Sequence, residues 1–170
     1  MSAQLHELAH EECLRLLGQG GVGRLAFASP TGIQVILVDY QLHEDAVVFR
    51  TTPYSQLGLH GPGQEAALEI DELDPVHHTA WSVVAKGTMH VVSKQAEVVR
   101  IKRDHDPEPW AEGVRQLYVK LVWRELTGRW IGAEHPTPAP APVVGGRQIA
   151  LAPDVAGTPH ARRTGQPPRW

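Results

Sequence analysis

An arginine and several hydroxyl side chains lie close together in residues 46–57, AVVFRTTPYSQL. Arg50 ends an apolar stretch, and the hydroxyls of Thr51, Thr52 and Ser55 follow it. A guanidinium at the end of a buried strand loses its hydration unless it meets an anion, and its planar shape suits a phosphate. The hydroxyls can donate further hydrogen bonds, as can backbone N–H groups if a helical turn begins at Ser55. This stretch therefore predicts an anion site.

The residues alone leave a second interpretation of Arg50 equally open. Its guanidinium could form an internal ion pair with a carboxylate, for which Glu69 and Asp71 are the candidates. A buried pair of that kind would satisfy the arginine without any ligand.

Two other stretches could contact a planar ring. In AWSVVAKG, Trp81 and Val83 share one face of a predicted strand and Ser82 lies on the other. An indole there could flank a ring system, although packing in the core is the commoner role of a strand tryptophan. The stretch IQVILVDY is nearly all apolar, so its backbone could lie against a flat cofactor.

The histidines do not form a convincing metal site, although the chain has ten of them. His77 and His78 are adjacent and would point to opposite sides of an extended segment. His6 and His10 could lie on one face of a helix, but no third ligand is evident. The sequence also lacks the usual phosphate-loop, zinc-protease and serine-hydrolase motifs. We therefore predict no metal site and no catalytic motif of those kinds.

Apolar periodicity predicts a mainly β fold with a few helices. Residues 4–17 show the spacing of an amphipathic helix, and residues 94–105 that of a second. Between them lie short β-rich stretches joined by tight turns, with Gly87 placed where a bulge is expected. Residues 116–132 suggest a closing pair of strands. This order predicts an antiparallel, closed or partly closed barrel with peripheral helices.

Composition sets the domain boundary and the class of partner. Residues 1–132 are enough for one domain, whereas residues 133–170 hold eight of the 14 prolines and should be largely extended or disordered. The net charge of −3 and the absence of an apolar run of about 20 residues argue against nucleic acid and membrane partners. The single cysteine and the absence of a secretory signal predict a cytoplasmic protein.

The order of these motifs resembles the pyridoxamine 5'-phosphate oxidase-like family of FMN-binding split barrels. The resemblance rests on GVGRLAF, QVILVDY, AVVFRTT, LEIDELD, AWSVVAKG, PEPWAEG and LTGRWIG, in that order. It implies a split β-barrel that forms a homodimer, with FMN in a groove between protomers. It also implies two-electron chemistry on a small-molecule substrate.

The resemblance also implies a set of cofactor-binding residues. Arg50 and Thr51 match the phosphate-binding pair, residues 36–39 match the strand that supports the isoalloxazine, and residues 81–83 match a strand lining the same groove. The predicted site comprises Ile36, Leu37, Val38, Asp39, Arg50, Thr51, Thr52, Ser55, Gln56, Trp81, Ser82, Val83 and Trp110.

Departures from the family pattern keep other ligands open. Gln56 stands where many relatives have lysine, which removes a positive charge, and Leu37 and Asp39 stand where proline and asparagine are frequent. An aspartate beside a flavin would disfavour its anionic reduced form. The alternatives are a deazaflavin, a heme, or a non-catalytic dimeric binding or sensor protein. The candidate axial ligands for heme are His60, His78 and His90.

Overall fold

The computed structural model describes residues 4–109 and 113–132. This part of the chain contains seven strands and three helices. In chain order they are β1 Gln4–Glu7, α1 His10–Leu17, β2 Gly21–Ser29, β3 Gly32–His43, β4 Ala46–Thr51, α2 Gln56–His60, β5 Glu65–Asp74, β6 Thr79–Val91, α3 Gln95–His105 and β7 Leu117–Gly132.

The strands form one antiparallel sheet that closes on itself. Its order is β1-β7-β4-β3-β2-β5-β6, and β6 also pairs with β7. The closure is incomplete at β3, because β4 pairs only with residues 40–43 of that strand while β2 pairs with residues 32–40. Residues 33–39 therefore have an open edge within the described chain. The structure confirms the prediction of a mainly β, antiparallel split barrel with peripheral helices.

Alternating apolar residues fill the barrel interior. On β2, Leu25 and Phe27 are buried, Ala26 between them is half-buried, and Arg24 and Ala28 on either side are exposed. The strand β4 is buried on both faces at residues 46–49, because α3 covers the outside of the sheet there. A second apolar cluster at that outer face contains Val48, Val92, Ile101 and Tyr118.

The predicted helix over residues 4–17 is wrong in its first half. Residues 4–7 form β1, which pairs with residues 129–132 of β7, and the helix α1 begins only at His10. The apolar spacing of Cys13, Leu16 and Leu17 does correspond to a buried helix face, and these three side chains enter the main core. Pairing with a strand more than 120 residues away therefore decides the conformation at the beginning of the described chain.

The predicted closing pair of strands is instead one strand, β7, of 16 residues. It pairs with β4 at its start, with β6 along its length and with β1 at its end. The bulge expected at Gly87 is confirmed, because the β6–β7 register shifts between Lys86 and Gly87. A Cβ atom at Gly87 would lie 2.0 Å from the Val122 carbonyl oxygen, so only glycine fits this approach.

Two predicted features lie outside the described residues, namely Trp110 and the segment 133–170. The prediction of an extended or disordered tail therefore stays a prediction. Within residues 4–109 and 113–132, none of the helices combines the length and apolar character that a bilayer crossing requires.

Candidate functional site

A cavity of about 370 Å³ lies where the open edge of β3 meets the end of β4 and the segment before β7. Its volume falls within the range of about 300–1,000 Å³ that is typical of sites for small ligands. The lining residues are Val22, Ile36, Leu37, Val38, Asp39, Arg50, Thr51, Ser55, Gln56, Leu57, Pro109 and Arg115.

The structure brings eight of the thirteen predicted site residues to this one cavity. They are Ile36, Leu37, Val38, Asp39, Arg50, Thr51, Ser55 and Gln56. Thr52 lies beside the cavity and contributes its backbone carbonyl, which accepts a hydrogen bond from Ser55 Oγ at 2.9 Å. Residues from β3, β4 and the start of α2 therefore line this one cavity.

Arg50 is held by the segment that precedes β7. Its Nε donates to the Arg115 carbonyl at 3.0 Å, and its Nη1 lies 3.3 Å from both Asp106 Oδ2 and the Pro107 carbonyl. The guanidinium also lies over the ring of Tyr118, 5.2 Å from the centroid. Arg50 thus lines the cavity and forms an internal ion pair at the same time.

The internal partner of Arg50 differs from both carboxylates that the sequence suggested. Glu69 and Asp71 pair with Arg24 on the neighbouring strand β2, since Arg24 is directly opposite Glu69 in the β2–β5 register. Asp106 takes their place beside Arg50. Its other carboxylate oxygen accepts from the Tyr118 hydroxyl at 2.7 Å. The pKa of Tyr118 is raised to about 12, mainly by burial and to a smaller extent by this hydrogen bond.

Arg115 is a cavity residue that sequence reasoning missed. It lies two residues before β7 and lines the cavity together with Arg50. Its Nε is buried and has no hydrogen-bond partner. No acidic side chain in residues 4–109 or 113–132 forms an ion pair with it. Its position follows from the β4–β7 register, in which Leu117 pairs with Thr51 and Tyr118 with Arg50. The sequence alone does not show this pairing.

The hydroxyls beside Arg50 bond to one another. Ser55 caps α2 by accepting from the Gly58 N–H at 2.9 Å, and it donates to the Thr52 carbonyl. Thr51 Oγ1 lies 2.7 Å from Ser55 Oγ. Because the Ser55 hydrogen is already donated, Thr51 must be the donor of this bond. Both hydroxyl hydrogens are therefore used internally, and an anion would gain one only if Ser55 turned away from Thr52.

Another part of the cavity lining is apolar, with one carboxylate. Residues 36–38 form its wall, and Asp39 follows them. Burial raises the pKa of Asp39 above its ordinary value of 3.8; a backbone hydrogen bond from Glu108 opposes this shift, and the Glu108 charge adds to it. The lining of this one small cavity thus combines apolar side chains, one carboxylate and two arginines.

Residues 81–83 do not reach this cavity within one copy of the chain. Trp81 Nε1 donates to Glu72 at 3.1 Å, Ser82 lines a separate depression with Thr127 and Arg129, and Val83 is fully buried in the core. These positions lie on β6, at the far end of the sheet order from β3.

None of the histidines considered for heme lines the cavity. His60 belongs to α2, His90 is exposed on β6, and His78 lines a different depression near the β5–β6 turn. Among the residues that the structure describes, no three or more His, Cys, Asp or Glu side chains are arranged to hold a metal ion.

Comparison with known proteins places this geometry in a family. Residues 9–130 match the sequence model of the pyridoxamine 5'-phosphate oxidase family. An uncharacterized protein from Mycobacterium tuberculosis is 29% identical over 137 residues, which cover 78% of this chain and 89% of that protein.

Solved structures share the fold at low sequence identity. A candidate pyridoxamine 5'-phosphate oxidase from Corynebacterium glutamicum superposes with a TM-score of 0.66 at 24% identity, covering 79% of this chain and 98% of its own. An FAD-binding protein from Mycobacterium smegmatis gives 0.61 at 22% identity, with 74% and 98% covered. An FAD- and heme-binding protein from the same organism gives 0.58 at 14%, with 90% and 95% covered. The chain belongs to the pyridoxamine 5'-phosphate oxidase family.

Proposed function

We propose that this chain binds FMN in the cavity beside Arg50 and acts, as a homodimer, as a two-electron oxidoreductase on a small-molecule substrate. The observation that carries the proposal is that a single cavity is lined both by the apolar residues 36–38 and by the arginines Arg50 and Arg115. A flat ring system that carries a phosphate likewise has one apolar part and one anionic part. The family assignment and the flavin-binding neighbours support a flavin as the ligand.

The open edge of β3 fits the rim of such a ring. No strand of the described chain pairs with residues 33–39 on the side away from β2. Backbone N–H and C=O groups on that edge are strong hydrogen-bonding groups that need partners. A ring with donors and acceptors along its rim can bond to them while its face lies against Ile36 and Val38.

The chain itself would bind, orient and electrostatically tune the cofactor. A bound flavin supplies hydride-transfer chemistry from its own ring, which agrees with the absence of a catalytic motif in the sequence. Arg50, Thr51, Ser55 and Gln56 lie where they could surround the phosphate. Asp39 is the one acidic side chain among the described lining residues, and its charge, when ionised, disfavours negative charge on a ligand beside it.

A homodimer would complete the site. Ile33, Val35 and Leu37 share the outward face of β3 along its open edge, with exposed fractions of 74%, 63% and 70%, and a contiguous apolar surface of this kind is typical of an interface. A second copy covering this edge would bring another surface of its barrel to the cavity. We propose that Trp81 and Ser82 contribute to the cofactor groove across that interface, since they are remote from the cavity within one copy.

The alternative ligands fit less well. Heme needs an axial ligand, and the described cavity residues include no histidine. A deazaflavin shares the flat ring and the phosphate, so the absorbance spectrum and the identity of the released cofactor must distinguish it. A dimer that binds FMN but transfers electrons to no acceptor would be a binding or sensor protein.

The first experiment is to purify the full chain, record its absorbance spectrum and identify the cofactor released on denaturation. We expect flavin absorbance, release of FMN, and recovery of that absorbance when the apoprotein is given FMN. A Soret band would assign heme instead. A colourless protein that binds none of FMN, riboflavin and FAD would refute the proposal.

The oligomeric state needs its own test. We expect a dimer by light scattering after gel filtration, and Leu37→Arg should shift it toward monomer because it places a charge on the apolar edge. Val99→Arg is the matched control, since Val99 is also exposed, at 55%, but lies on α3. A Leu37→Arg variant that remains as dimeric as the Val99→Arg control would exclude this edge as the interface.

A further inference from the structure

We infer that Arg115 makes the principal contact with the anionic group of the ligand, whereas Arg50 is a positioning residue that holds Arg115 in place. This inference deepens the proposed function and rests on it in naming the anion as the phosphate of a flavin. It differs from the interpretation of the sequence, in which Arg50 is the arginine that binds the phosphate.

Most of the hydrogen-bonding capacity of Arg50 is already used within the protein. Two of its three guanidinium nitrogens already donate to the protein, to the Arg115 and Pro107 carbonyls and to the Asp106 carboxylate. Asp106 lies 3.3 Å from Nη1 and balances the charge. An anion approaching Arg50 would therefore meet a guanidinium that is largely bonded and paired with a carboxylate.

Arg115 has the opposite properties. It lines the same cavity, but its Nε is buried without a hydrogen-bond partner. None of the acidic side chains in residues 4–109 and 113–132 is paired with it. A buried donor without a partner is unfavourable, so a turn of the side chain that brings Nε to the cavity, where an oxyanion supplies the acceptor, would be favoured. The planar guanidinium can also bond to a phosphate through two nitrogens at once.

The two arginines are mechanically linked. Arg50 Nε donates to the backbone carbonyl of Arg115 itself, while Nη1 bonds to the chain at Asp106 and Pro107. Arg50 thus bonds to Asp106 and Pro107 on one side and to the backbone of Arg115 on the other. Arg115 would also supply the positive charge that the neutral Gln56 does not bring to this cavity.

The decisive comparison is between FMN and riboflavin, which differ by the phosphate. Arg115→Ala should weaken FMN binding about ten- to a hundredfold, the loss expected for a charge-assisted hydrogen bond, and should change riboflavin binding little. Arg115→Lys should recover part of the FMN affinity, because lysine restores the positive charge but not the paired donors of the planar guanidinium. Arg50→Ala should weaken FMN binding strongly and riboflavin binding to a smaller extent, because it removes the hydrogen bonds to the Arg115 carbonyl and to the Pro107 carbonyl near Pro109.

A double-mutant cycle separates positioning from direct contact. If Arg50 acts through Arg115, Arg50→Ala in the Arg115→Ala background should cause no further loss of preference for FMN over riboflavin. Arg124→Ala is the matched control, because Arg124 also belongs to the β7 region but is 70% exposed and pairs with Glu65. Thermal unfolding of each variant identifies any that fail to fold; for these, the lysine variants at the same positions supply the comparison.

The outcomes are distinguishable. Unchanged FMN affinity in Arg115→Ala, or a loss of FMN preference confined to Arg50→Ala, overturns the inference while leaving flavin binding intact. If the wild-type chain binds neither flavin, the proposed function fails, and inorganic phosphate at constant ionic strength becomes the probe. Stabilisation by phosphate that Arg115→Ala abolishes then supports Arg115 as the anion contact, and equal responses of both proteins overturn it.

Discussion

Replacing Ser55 by alanine tests the hydrogen-bond network that forms one side of the cavity. The Ser55 hydroxyl accepts from Gly58 N–H at 2.9 Å and from Thr51 Oγ1 at 2.7 Å, and donates to the Thr52 carbonyl. Losing the N-cap bond costs about 1 kcal/mol. Thr51 is only 4% exposed, so its unpaired hydroxyl adds about 1–3 kcal/mol. We expect a loss of about 2–4 kcal/mol in the free energy of unfolding.

The double variant Thr51→Val/Ser55→Ala gives the sharper result. Valine has the shape of threonine without the hydroxyl, so it removes the unpaired group that Ser55→Ala creates. Replacing both partners by apolar groups is much less costly than removing one. The double variant should therefore be more stable than Ser55→Ala alone, with only about 1–2 kcal/mol lost, mainly through the missing cap.

Urea denaturation of the ligand-free protein, followed by circular dichroism, measures these free energies without any contribution from ligand binding. Ser29→Ala serves as a control, because its hydroxyl bonds lie at an exposed turn, and its cost should stay within about 0.5 kcal/mol. If the double variant loses as much as the single variants Ser55→Ala and Thr51→Val combined, the two hydroxyls do not bond to each other.

Two further substitutions test the electrostatics and the closure of the barrel. Because burial raises the pKa of Asp39, the folded chain holds its proton more tightly, and stability falls as pH rises from 3.8 through the raised pKa. Asp39→Asn should therefore raise Tm at neutral pH and change it little below pH 3.8. An equal rise in Tm at both pH values would contradict this explanation. Gly87→Ala places a Cβ 2.0 Å from the Val122 carbonyl oxygen, so we expect at least about 1–3 kcal/mol of destabilisation. Thr88→Ala, at the next residue, is the control. If denaturant titration gave equal losses of unfolding free energy for both variants, the close approach at Gly87 would not be the cause of the destabilisation.

Local sequence signals predicted the elements whose structure depends on near neighbours. The turns between β2, β3 and β4 connect strands that are adjacent in the sheet, so short-range patterns were sufficient. Ser55 did begin a helix, because its side chain can satisfy the N–H three residues ahead. By contrast, β1 is only four residues long and exists through its pairing with residues 129–132. No local pattern contains that information.

The same distinction separates the predicted from the missed residues of the site. Arg50 was predictable because strand, arginine and hydroxyls are contiguous. Arg115 was not, since it lies in a polar stretch and gains its meaning only from the pairing of Leu117 with Thr51. Asp106 was missed for a similar reason: it becomes the partner of Arg50 because α3 ends beside the start of β7.

The cavity is therefore part of the closure of the barrel rather than an addition to its surface. The strand β7 completes the ring by pairing with both β4 and β6, and its pairing with β4 places Arg50 opposite Tyr118. The Arg50 side chain then extends this contact past the end of the strand pairing, to the carbonyl of Arg115. One arginine stabilises the closure and the other is left with an unsatisfied buried nitrogen. The fold thus holds Arg50 within the closure of the barrel and leaves Arg115 available to bind an anion.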